Sequence, residues 1–75
     1  MEMTLDRLGV GCSAVITRLN TDDSLRNRLR CFGMIPGTRV CCRYRTPGGS
    51  VTALECRGSV IALRTRDMER IWGCG

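Results

Sequence analysis

The stretch Asp22-Asp23-Ser24-Leu25-Arg26-Asn27-Arg28-Leu29-Arg30-Cys31-Phe32-Gly33-Met34-Ile35-Pro36-Gly37-Thr38-Arg39-Val40 decides the fold. It reads as a capped helix, a glycine stop, a rigid turn and the start of a strand. Leu25, Leu29 and Phe32 recur at spacings of four and three, which places them on one face of a helix. Thr21 or Asp22 caps the first turn, and the aspartates complement the positive end of the helix dipole. Arg28 and Arg30 fall near the opposite end, where cations are favoured. Gly33 stands where a left-handed residue ends a helix. Pro36-Gly37 has the chemistry of a type II turn, so both Gly33 and Gly37 are expected at positive φ.

On either side of this unit the chain reads as strands. Leu5 and Leu8 plug one end of the core, and Ala14–Leu19 is a strand by composition. Arg39–Arg45 alternates, with Val40, Cys42 and Tyr44 expected inward and Arg39, Cys41, Arg43 and Arg45 outward. Pro47-Gly48-Gly49-Ser50 marks a hairpin loop before Val51–Arg57, whose Thr52, Leu54 and Cys56 point inward. Gly58 allows a sharp bend into Val60–Arg64. Thr65–Glu69 makes one helical turn, and Ile71-Trp72 supplies a short closing strand. The sum is a mainly β fold, a small five-stranded barrel with one inserted α-helix, in a single domain over residues 1–75. Its core is expected to hold Val15, Leu25, Leu29, Phe32, Val40, Leu54, Ile61 and Leu63.

Composition narrows the function. A 75-residue chain buries only about 60% of its unfolded surface, so packing must be efficient. The N-terminus carries acids where an export signal would be basic, and no long apolar run follows it, so the expected location is the cytoplasm. Six cysteines then belong to a reducing compartment. With no Cys-x-x-Cys pair and no histidine, a zinc site of known spacing is not expected; most cysteines read as small core residues and free thiols. No cofactor is expected. Scattered acids and cysteines without a partner base argue against an enzyme.

The twelve basic residues are all arginine, and the formal net charge is +5. Between Ser24 and Leu54 there are six arginines and no acid, which points to a one-sided basic surface for an acidic partner. The candidate partner-binding residues are Arg26, Arg30, Arg43 and Arg45, with Met34 and Ile35 beside them; Gly33, Pro36, Gly37 and Gly58 are assigned to turns. The competing reading of the arginines is a solvated face that keeps the protein soluble.

Taken together, Leu5-x-x-Leu8, Gly11, Val15, Arg28-Leu29, Gly33-Met34, Pro36-Gly37-Thr38-x-Val40, Arg57-Gly58-x-x-Ile61-Ala62-Leu63-Arg64 and Ile71 resemble the FeoA family of bacterial ferrous iron transport. The resemblance covers nearly the whole chain in order. It departs at Met68, where the family usually has alanine, and in the early stop after Ile71. It implies an SH3-like barrel acting in the cytoplasm, recruited to the membrane by its partner FeoB, the transporter with a GTPase domain. A related barrel ends some metal-dependent repressors; without a preceding DNA-binding domain that context is disfavoured. The alternative function is a basic nucleic-acid-binding barrel, which the expected burial of Phe32 and Tyr44 argues against. Self-association is left open.

Overall fold

The computed structural model describes all 75 residues, Met1–Gly75. In order they form β1 (Glu2–Thr4), a 3-10 turn (Leu5–Arg7), β2 (Ser13–Leu19), α1 (Asp23–Cys31), β3 (Arg39–Arg45), β4 (Val51–Cys56), β5 (Ser59–Arg64), α2 (Thr65–Met68) and β6 (Ile71–Cys74). One antiparallel sheet runs β1-β6-β2-β3-β4-β5 and presents its buried face to a single cluster of 14 residues. The sheet has six strands where five were expected. The added strand is β1, which pairs Met3 with Gly73 and Thr4 with Trp72. Three residues are too few to show an alternation, so only its partner reveals it. With β1 outside it and β2 inside it, β6 is not an edge.

The central unit is built by local chemistry. The Asp22 carboxylate accepts from the Leu25 amide at 2.8 Å, capping α1. At the other end the Gly33 amide bonds the Arg30 carbonyl at 3.0 Å and the Met34 amide bonds the Leu29 carbonyl at 2.9 Å. These two bonds are the Schellman motif, and Gly33 at φ +80° is its left-handed residue. The motif folds Met34 back onto Leu29, and both are fully buried. Phe32 was expected in the core; it is 45% exposed. It occupies the C-cap, where the chain leaves the helical path, and Met34 takes the inward place that helical spacing assigned to Phe32. The Thr38 amide then closes a turn on the Ile35 carbonyl at 3.0 Å, with Gly37 at φ +95°. A Cβ on Gly33 would lie 3.1 Å from Arg57 Cδ, in addition to the cost of positive φ. Gly33→Ala is expected to lower stability by about 1–2 kcal/mol in denaturant titration; an unchanged midpoint would refute the motif's importance.

Two bulges break the strand alternation. In β3 the register shifts between Cys42 and Tyr44, leaving Arg43 as the extra residue. Tyr44, expected inward, therefore faces solvent and is 55% exposed. Arg45, expected outward, turns inward instead. Its guanidinium donates to the Leu8 carbonyl and the Thr52 hydroxyl, each at 3.0 Å. In β2 a shift between Ile16 and Arg18 does the same at Thr17. Val15, expected in the core, is half-buried, because Ala14 and Ile16 hold the inward parity. Leu25 is half-buried against the core rather than within it.

The turn from β4 to β5 uses Arg57 at φ +52° and Gly58 at φ +84°, the two positive values of a type I′ hairpin. Only two of the six cysteines, Cys42 and Cys56, lie in the core, fewer than expected; Cys12, Cys31 and Cys74 are exposed and Cys41 is half-buried, all as free thiols. Burial pushes the Cys56 thiol above its ordinary pKa, so it stays protonated and donates to the Phe32 carbonyl. No helix is long and apolar enough to cross a membrane.

Candidate partner-binding surface

The six residues singled out in the sequence do not form one patch. Met34 is fully buried and unavailable to a partner. Arg45 is tied into the core edge through Leu8 and Thr52. Arg43 forms an ion pair with Glu55 and lines a separate surface with Arg39 and Arg57.

The remaining three come together. Arg26, Arg30 and Ile35 line a cleft of about 310 Å³ with Thr17, Arg18, Leu19 and Pro36. The helix positions Arg26 and Arg30 one turn apart, and the type II turn sets Ile35 and Pro36 across from them. Arg26 Nη2 donates to the carbonyls of Leu19 at 3.2 Å and Thr21 at 3.3 Å, pinning α1 to the end of β2. Its Nε is buried with no partner. Arg30 is exposed and makes no ion pair. Ile35, 39% exposed, is the apolar wall.

Sequence reasoning missed Arg18. With Ala14 and Ile16 inward in the structure, unbroken alternation would turn Arg18 inward as well, and the bulge at Thr17 turns it out to stand opposite Trp72. There its guanidinium stacks 4.4 Å from the indole centroid. It also pairs with Glu2. The Thr17 hydroxyl donates to the Glu2 carboxylate, and that bond, with the Arg18 charge, holds this carboxyl below its ordinary pKa despite partial desolvation.

The uncommitted Arg30 guanidinium, with Arg18 and Arg26 adding positive charge beside an apolar wall, suits a carboxylate-bearing segment with a neighbouring apolar side chain. By contrast, the cleft between α1 and α2 mixes Asp22, Asp67 and Glu69 with Arg66 and Arg70, so its charges largely neutralise one another. No three His, Cys, Asp or Glu side chains converge as metal ligands would.

Comparison with known proteins places these features in context. The FeoA domain model matches residues 3–73. No curated protein matches the sequence. The solution structure of the FeoA protein from Chlorobium tepidum superposes with a TM-score of 0.90 at 25% identity, covering 96% of this chain and 70% of that one. The zinc complex of Stenotrophomonas maltophilia FeoA, described as a prokaryotic SH3 domain protein and put forward as an activating factor of ferrous iron transport, gives 0.80 at 29% identity, with coverages of 92% and 86%. A manganese-dependent transcriptional repressor shares the fold at a TM-score of 0.90 and 14% identity, where this chain spans 36% of the repressor's length and 99% of its own.

Proposed function

We propose, from the premise that this chain belongs to the FeoA family, that it serves ferrous iron transport as a small cytoplasmic accessory protein without enzymatic activity of its own. Its partner is the cytoplasmic part of the FeoB transporter, which recruits it to the membrane. The family membership and the activating role put forward for the S. maltophilia relative support the transport assignment. The cleft supports a protein partner, and one observation carries it: Arg18, Arg26 and Arg30 meet Ile35 and Pro36 around a single opening. A carboxylate entering there would meet Arg30 without displacing an acidic partner of this chain, since Arg30 has none.

Arg30 is the residue to test, because Arg26 also holds the helix in place. Arg30→Glu is expected to weaken binding to the GTPase-bearing part of FeoB about tenfold or more, with the melting temperature nearly unchanged. Calorimetric titration of the two purified proteins measures it. Full binding by the folded variant would remove the cleft from the interface. The nucleic-acid reading loses one objection, since Phe32 and Tyr44 are exposed. Trp72, however, is half-buried and already stacked by Arg18. A retention assay on single-stranded nucleic acid is the matching control, and no retention is expected.

A further inference from the structure

We propose that the outward face of the β3–β4–β5 sheet docks on an anionic membrane surface. The pairing register assembles this face. Tyr44 stands opposite Ala53 and Ala53 opposite Ala62, so the three form one row. Cys41, Glu55 and Val60 form the next row, and Val51 faces Arg64 on the other side. The alternate row of Cys42, Leu54 and Ile61 is buried, which fixes Tyr44–Ala53–Ala62 as the solvent side. Tyr44 and Val60 are 55% and 64% exposed, with small alanines between them. The bulge at Arg43 brings the tyrosine here; without it the phenol would point into the core.

Charge selects the occupant. Arg64 belongs to the face, Arg28 of α1 lines a cleft with Ala62 and Arg64, and Arg57 sits at the hairpin tip beyond Val60. None of these three forms an ion pair. Three acids are near: Glu55, which is engaged by Arg43, Asp67, which lines the cleft with Arg28 and Arg64, and Glu69, which lines another with Val51, Arg64 and Arg66. Cations remain in excess. A second copy would set the same arginines against one another. A protein partner would seat its anchor side chain in an apolar pocket, but the large apolar groups Tyr44 and Val60 line none of the main clefts, and those at the margin, reached by Ala62, Val51 and Cys41, carry charged side chains in their walls. Exposed Tyr44 and Val60, with Ala53 and Ala62 and arginines at the margin, suit lipid headgroups: guanidinium forks match phosphate, and tyrosine sits at the interface of water and acyl chains.

The test uses the full chain and sedimentation with vesicles. Binding is expected to phosphatidylcholine vesicles containing phosphatidylglycerol and not to phosphatidylcholine alone, and added salt should release the protein. Arg28→Gln and Arg64→Gln should each weaken binding about fivefold. Tyr44→Ser combined with Val60→Ser should weaken it about tenfold or more, while leaving FeoB binding at the Arg30 cleft intact. In a Trp72→Phe background, the indole introduced by Tyr44→Trp should shift its emission to the blue on anionic vesicles. The proposal is overturned if wild type stays in the supernatant with both vesicles, if the double serine variant sediments like wild type, or if that emission does not move. Because the double serine variant separates lipid from FeoB binding, failure here is distinct from failure of the cleft.

Discussion

Leu29→Ala is expected to destabilise the protein by about 2–5 kcal/mol. Leu29 is the one fully buried residue of α1, and it receives Met34 through the Schellman turn, so truncation opens a cavity that two elements line. For a domain of this size that loss corresponds to a fall of roughly 10 °C or more in melting temperature. Phe32→Ala supplies the contrast, because nearly half of that ring is already in water. Urea titration followed by circular dichroism measures both. A Leu29→Ala loss no larger than that of Phe32→Ala would mean that the helix does not depend on the contact assigned to it.

The second large effect is expected at Gly73, where no turn or positive φ is involved. Gly73 is buried in β6, paired with Met3 of β1 on one side and Ile16 of β2 on the other. A Cβ there would stand 2.9 Å from Leu5 Cδ2, 3.2 Å from the Val15 carbonyl oxygen and 3.3 Å from Ala14 Cβ. The leucine methyl can rotate away, but the backbone oxygen and the alanine cannot. Either β6 moves from β2 or Leu5 leaves the core. Gly73→Ala is therefore expected to cost about 1–3 kcal/mol, toward the upper end of that range. Adding it to Leu5→Ala should cost less than adding it to wild type, since part of the clash is then gone. Equal costs in the two backgrounds would place the strain on the β2 side alone.

Both effects bear on how far the chain could be read before its structure was known. The burial of Leu29 was legible, though not its partner Met34, which was assigned to the surface: helical spacing, the Asp22 cap, the Gly33 stop and the Pro36-Gly37 turn each rest on residues within a few positions of one another. The strand boundaries of β3 were legible for the same reason. The Gly73 contact was not, because Gly73 shows nothing of Leu5 68 residues away until β1 and β6 pair.

The candidate surface divides along the same line. Placing Arg26 and Arg30 one turn apart needed only the helical period, whereas the position of Ile35 across from them is seen only in the folded chain. Grouping Arg43 and Arg45 on one outward face also followed from alternation, and failed because a bulge leaves no mark on that alternation. The extra residue at Arg43 is absorbed by β3 only through its pairing with β4. Beyond it, every side chain changes face. That single residue moves Arg45 to the core edge and Tyr44 to solvent. The bulge at Thr17 likewise brings Arg18 out to Trp72 and the cleft. What the sequence by itself determined is thus five of the six strands and both α-helices, their order, the helix-to-strand connection and most of the core. The tertiary structure alone decided the parity of two strands, the sixth strand and so the membership of each exposed surface. Caps, turns and periodicity are energies of neighbours along the chain, whereas strand register is an energy of partners across the sheet.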